Sequence, residues 1–234
     1  MVKPEVSVIV PAYNEGQRIE HTLRAIREAC GSFRQSSARV ELIVVDDGSR
    51  DDTFEKAVPW ADLVVQHPER YGKGTALNTG FKMAKGDVLV FLDADLGETA
   101  SAFPNLVEPV LQGECDMAIA VLPQALTKGG FGLVKRLAKR GVLQLCGYEA
   151  AAPLSGQRAI HSAALGRIGR LADGFGVEVG LTIDAIKLGY RVQEREVAFS
   201  HRESGRDWGG WYHRGKQLCA VGGTLWQRWR QPIC

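Results

Sequence analysis

Val88-Leu89-Val90-Phe91-Leu92 runs without a polar interruption into Asp93-Ala94-Asp95. Five apolar residues with no alternation describe a strand buried on both faces, the pattern of a parallel sheet covered by helices. Two carboxylates at its carboxyl end repel each other unless a cation or hydrogen-bond donors compensate. Open parallel sheets bind ligands at that end of their strands.

The same pattern recurs toward the N-terminus. Val6-Ser7-Val8-Ile9-Val10 is a short strand that runs into Pro11-Ala12-Tyr13-Asn14-Glu15. Leu42-Ile43-Val44-Val45 stops at Asp46-Asp47-Gly48-Ser49, and Leu63-Val64-Val65 reads as a third strand. Residues 16–30 place Ile19, Leu23, Ile26 and Cys30 on one helix face, and residues 75–84 predict another helix. A helix near 102–112 and a strand at 117–121 continue the alternation. The expected fold is α/β: a Rossmann-like, mostly parallel sheet flanked by helices. Its three polar strand ends become neighbours around one crevice. Any one of them has the composition of a helix cap or turn. Three at equivalent positions point to a ligand.

The 234 residues suit one large α/β domain, and at 45% hydrophobic the chain is too apolar for disorder. Apolar runs such as Met117 to Leu122 fall far short of the roughly 20 residues a membrane span needs. Ser7 and Pro11 interrupt the first apolar stretch, so no signal peptide is expected. Five scattered cysteines without a CxxC pair suggest neither a disulfide framework nor a zinc site. These features predict a cytoplasmic protein. A net charge of +2 gives no argument for a nucleic-acid partner.

Charge is unevenly placed. Residues 201–234 form a basic segment, with six Arg or Lys against Glu203 and Asp207, and they hold Trp208, Trp211, Tyr212, Trp226 and Trp229. Gly222-Gly223 argues against one unbroken helix there. Residues 128–140 contain Lys128, Lys135, Arg136, Lys139 and Arg140 and no acid. As a helix, Lys135/Lys139 and Arg136/Arg140 are i,i+4 pairs in one cationic stripe, with Phe131, Val134 and Leu137 on another face. Like charges stacked this way destabilise an isolated helix. An anionic partner is therefore expected: a phosphorylated acceptor, an anionic lipid, or the inner face of a membrane with the protein peripheral to it. A solvated helix packed on the domain is the plainer alternative.

Four motifs in order carry a family resemblance: Val8-Ile9-Val10-Pro11-Ala12-Tyr13-Asn14-Glu15; Val44-Val45-Asp46-Asp47-Gly48-Ser49 with Asp52-Thr53; Gly72-Lys73-Gly74 with Ala76-Leu77-Asn78 and Gly80; and Asp93-Ala94-Asp95. Together they resemble a family 2 glycosyltransferase of the GT-A fold over roughly residues 5–200. Asp93-Ala94-Asp95-Leu96 followed by Ser155-Gly156-Gln157-Arg158 is similar to polyprenyl-phosphate sugar transferases of the dolichyl-phosphate mannosyltransferase type. Gly174-Phe175-Gly176-Val177-Glu178-Val179-Gly180-Leu181, with His201-Arg202, resembles glucosyl-3-phosphoglycerate synthases. The first branch inverts the anomeric centre and the second retains it, so the outcome stays open. The resemblance implies a domain over 1–200, with a nucleotide-sugar half at about 1–97 and an acceptor half at about 98–200, followed by the segment 201–234.

The resemblance also implies roles. Asp95 binds Mg²⁺ or Mn²⁺ with Asp93 beside it, and the metal neutralises a nucleotide-sugar diphosphate as it leaves. Where the polyprenyl-phosphate branch carries a Gln ligand, this chain has Gly97, and His201 is the candidate replacement. Pro11, Tyr13 and Glu15 line the nucleoside pocket, and Asp47, or alternatively Asp46, accepts from the imide N–H of a uracil in a UDP-sugar. Lys73, between two glycines, supplies a cation near the phosphates; position 67 is His, so the stretch is not a P-loop. Glu178 is a general base, or it orients the acceptor or sugar if the acceptor is itself a phosphate. Arg158 joins Glu178 and Asp95 as a candidate catalytic residue. Two rivals have other signatures: a sugar-phosphate nucleotidyltransferase would carry a Gly-rich loop after its first strand, and a non-catalytic sugar-binding module would not need Asp93, Asp95, Glu178 and His201 together.

Overall fold

The computed structural model describes residues 5–33, 39–122, 132–172, 174–200 and 208–230. Along the described chain run the strands β1 (Val6–Ala12), β2 (Val40–Asp46), β3 (Leu63–Gln66), β4 (Val88–Phe91), β5 (Met117–Val121), β6 (Arg158–His161) and β7 (Val192–Glu196). Between and after them lie helices α1 (Ile19–Phe33), α2 (Thr53–Ala57), α3 (Lys73–Met83), α4 (Pro104–Leu111), α5 (Gly132–Cys146), α6 (Ser162–Ile168), α7 (Val177–Lys187) and α8 (Trp208–Arg230). The strands join in the order β3-β2-β1-β4-β6-β5-β7. β6 is antiparallel to both its neighbours and the other pairings are parallel. The α/β expectation holds.

Successive residues of a strand face opposite sides, so the unbroken apolar runs feed two cores. Val8, Val10 and Val44 pack with Leu23, Ile26 and Phe103 on one face. Ile9, Ile43 and Phe91 pack with Leu77, Ile160 and Leu181 on the other. A third cluster joins α5, α7 and α8 through Val134, Ala138, Val142, Val179, Ile183 and Val221.

Three elements differ from expectation. α1 starts at Ile19 rather than 16, because the residues before it are tied to the β2–α2 loop: Glu15 N–H donates to Thr53 Oγ1 at 2.9 Å and Gly16 N–H to Asp51 Oδ2 at 3.0 Å. The alternation in Arg195-Glu196-Val197-Ala198-Phe199 predicts a short strand, but the strand here, β7, begins at Val192 and ends at Glu196. Its partner β5 ends opposite, at Val121, so the ladder has no further strand to pair with, although Val197 and Phe199 stay buried. α8 passes through Gly222-Gly223 without a break. Each glycine costs a helix about 1 kcal/mol relative to alanine, and packing against α5 and α7 offsets it.

Candidate active site

β1 lies between β2 and β4, so the three polar strand ends become neighbours. Pro11 is accommodated because pairing of β1 with β4 has already ended at Ile9↔Phe91, and no ladder bond goes unmade. Beyond it, two loops are stitched together. Asn14 takes a left-handed conformation (φ 54°); its N–H donates to Ser49 Oγ and its Oδ1 accepts from Arg50 N–H, both at 2.9 Å. Tyr13 is half-buried under Arg70, whose Cζ stands 4.0 Å from the ring centroid. Pro11 and Glu15, also half-buried, flank it. The expected nucleoside-pocket residues therefore share one loop.

Asp46 and Asp47 sit differently from the expectation of a base contact. Asp46 is fully buried and accepts from Ser49 N–H and Gln66 Nε2–H. Asp47, 3% exposed, accepts from Tyr71 N–H at 2.9 Å and Gly72 N–H at 2.7 Å, and pairs with His67 Nδ1 at 2.8 Å. Oxygens held by such internal donors shape the turn leading into α3. His67, which also meets Thr79, had no sequence signal beyond being a lone histidine.

The turn that Asp47 shapes delivers Lys73 at the first residue of α3. Its Nζ bridges Asp93 Oδ1 at 2.7 Å and Glu178 Oε1 at 3.0 Å. Burial alone would lower the Lys73 pKa, but the two carboxylates overcome it and raise the value, so the lysine remains a cation. Gln157 Nε2–H donates to the other Asp93 oxygen at 2.7 Å. Gly156 makes this convergence possible: a Cβ there would lie 2.5 Å from Lys73 Nζ and 3.1 Å from Asp93 Oδ2. Lys73, Asp93 and Glu178, 105 positions apart at the extremes, meet at one point. No local pattern gives Gln157 this role, because its contact exists only after β6 is laid beside β4.

Arg158, expected among the catalytic residues, is held by internal partners. It is 1% exposed, donating from Nε to Ser155 O at 2.9 Å and from Nη1 to Thr182 Oγ1 at 2.8 Å. Burial lowers its pKa to about 10, opposed by the charges of Glu178 and Glu194. It stands behind the site, where it fixes the Ser155–Gln157 loop against α7.

Asp95 is half-buried on the edge of a cleft of about 330 Å³ that Arg18, His21, Thr99 and Ser200 also line. The turn holding it is pinned by Thr22, whose hydroxyl donates to Ala94 O and accepts from Gly97 N–H, both at 2.8 Å. Among the described residues no three His, Cys, Asp or Glu side chains gather as a metal cage. Mg²⁺ and Mn²⁺ sites of nucleotide enzymes need only one or two carboxylates, since phosphates and water complete the shell. Hard oxygen donors at Asp95 and Asp93, beside an open cleft, fit that kind of ion. His201 lies outside the described residues, as do Lys128 and Phe131. Lys135, Arg136, Lys139 and Arg140 are all exposed on α5, separate from this cleft.

Residues 7–151 match the family model for glycosyl transferase family 2. The chain belongs to glycosyl transferase family 2. It is 37% identical over 116 residues to the undecaprenyl-phosphate 4-deoxy-4-formamido-L-arabinose transferase of Pseudomonas savastanoi pv. phaseolicola, covering 46% of this chain and 33% of that protein. It is 33% identical over 200 residues to the glucosyl-3-phosphoglycerate synthase of Mycobacterium tuberculosis, covering 76% of this chain and 60% of the synthase. This family 2 chain thus spans a third to three-fifths of the length of those relatives. A crystal structure of the same synthase with Mn²⁺, UDP-glucose and phosphoglyceric acid superposes with a TM-score of 0.78 at 31% identity, over 99% of this chain and 81% of that one. Both branches suggested by the motifs are thus represented, and the GT-A architecture is shared.

Proposed function

We propose that this family 2 glycosyltransferase moves a sugar from a nucleotide sugar, a UDP-sugar, to a phosphorylated or membrane-associated acceptor with Mn²⁺ or Mg²⁺. The observation that carries this is the junction of Lys73 with Asp93 and Glu178 beside Asp95. The solved synthase supports the donor and ion, since its complexes hold UDP-glucose and Mn²⁺. Asp95, with Asp93 beside it and His201 as a third ligand, would hold the metal, which would neutralise the diphosphate as it leaves. Ser200, next to His201 in the chain, lines the cleft with Asp95. Lys73 supplies a second positive charge, and Gln157 keeps Asp93 oriented. Tyr13 and Arg70 form a shelf of the kind that stacks a base. Glu178, ion-paired with Lys73, is suited to orient the acceptor or sugar. If the acceptor's own nucleophile is a phosphate oxygen, it is already ionised and asks for no general base. The neighbouring synthase complex also holds a phosphorylated compound, phosphoglyceric acid.

Thermal melting with UDP, GDP and ADP, with Mn²⁺ or with chelator, tests the reading. UDP plus Mn²⁺ should raise Tm most, ligand at a hundred times Kd adding about 2.7 kcal/mol. Asp95→Ala should lose the metal-dependent part and turnover while the apo protein still melts cooperatively. Equal shifts by all three nucleotides with Mn²⁺, or full turnover in excess chelator, would sink it.

A further inference from the structure

We infer that the outward faces of α5 and α8 form a docking surface for an anionic bilayer. The two helices lie side by side: Leu225 of α8 packs where a Cβ on Gly141 of α5 would stand, 2.4 Å from its methyl carbons. Their inward faces meet α7 in a common cluster that includes Val134, Val142 and Val221. The faces turned away from that cluster carry unusual chemistry. Lys135, Arg136, Lys139 and Arg140 are exposed on α5, and neither helix contains an acidic residue. The outward faces also hold large apolar side chains in solvent: Leu133 at 74% exposure and Leu143 on α5, and Trp229 at 69%, Trp226 at 57% and Leu218 on α8.

A solvated face would not present tryptophan and leucine beside the cations. Interfacial helices combine the two, because indole and leucine enter the headgroup region while Lys and Arg meet anionic lipid. Charge decides against a second copy of the chain. A two-fold interface sets a patch against itself, and here that would bring two acid-free cationic stripes together. A lipid phosphate removes the repulsion. Exposed Leu133, Leu143 and Leu218 lack the donors and stacking planes that a nucleic acid would use. On its inward side α8 packs near the site: Thr224 fills the space beside Gly176, two residues before Glu178. Docking would therefore hold the site close to an acceptor carried in the membrane, a deepening of the acceptor reading above.

Co-sedimentation with vesicles tests the inference, using phosphatidylcholine alone and an equimolar mixture with phosphatidylglycerol. The full chain should bind the mixture, bind phosphatidylcholine weakly, and be released by salt. Replacing Lys135, Arg136, Lys139 and Arg140 together by Gln should weaken binding at least ~100-fold, at about 1 kcal/mol per cation. Trp226→Ala with Trp229→Ala should weaken it about ten-fold or more through lost apolar burial. Both variants should keep the UDP-induced rise in Tm, which separates loss of docking from failure of the transferase reading. No binding, or equal binding to both vesicles, overturns the inference. So does a dimer in solution that the Trp variants dissociate, or vesicle binding lost to a nucleic-acid competitor while both variants bind as the parent does.

Discussion

At Gly156 a single hydrogen separates an assembled site from a blocked one. Lys73 Nζ would lie 2.5 Å from an added Cβ, and the lysine is already held by two carboxylates. Gly156→Val should push Lys73 off Asp93 and reduce metal-dependent UDP affinity ten-fold or more. Far-UV circular dichroism should stay unchanged, because the displaced atom is the end of a side chain. Unaltered UDP titrations would show that the Lys73 bridge is dispensable. The motif residues around Asp93 and Lys73 were readable in the sequence because their types and order are distinctive. Their engagement was not: Gln157, Thr22 and His67 have ordinary identities and act through contacts 12 to 75 residues away along the chain.

Among elements, α8 depends on one buried ion pair. Arg228 donates to both oxygens of Asp184 on α7, from Nε at 2.6 and 2.9 Å and from Nη2 at 2.6 Å, with Asp184 1% exposed. Burial raises the Asp184 pKa despite the guanidinium. Arg228→Ala would leave that carboxylate buried and unpaired, which costs about 3–5 kcal/mol. Urea unfolding should show this loss, and adding Asp184→Asn should restore part of it. A fully additive double mutant would argue against a coupled pair. The helix itself could not be read as continuous from Gly222-Gly223, since intrinsic propensity disfavours it and only packing on α5 and α7 reverses the balance.

The sheet edge gives a pH prediction for the whole fold. Arg191 donates to Asp116 at 2.8, 3.1 and 3.2 Å, locking β7 to β5. The Arg191 side-chain hydrogen bonds lower the Asp116 pKa, against the effect of burial. A carboxylate with a depressed folded pKa stabilises fully above its unfolded value of about 3.9, and the contribution is lost as pH falls through the folded value. Asp116→Asn should therefore flatten the acid limb of Tm against pH. The pair is largely exposed, so its contribution is no more than about 1 kcal/mol. A second expectation concerns the metal. With no metal cage among the described core residues, chelator should abolish turnover while leaving the apo melting curve unmoved. A large fall in apo Tm would place a structural ion in the fold.

The sequence by itself determined the mostly parallel sheet, the crevice at its strand ends and the family. Hydrophobic periodicity and local motifs are written in short windows, and burial of a strand on both faces leaves an unbroken apolar run. It also exposed the cationic stripe on α5, because like charges at i,i+4 are visible without a structure. Only the tertiary structure decided which carboxylates stay turned inward. Asp46 and Asp47 read like ligands, yet backbone N–H groups and His67 fold around them, and desolvation makes such internal partners necessary. It likewise decided that Arg158 is buried behind the site and that Lys73 bridges Asp93 and Glu178. A charge pairs with whatever long-range packing brings within about 4 Å, and no local pattern encodes that distance.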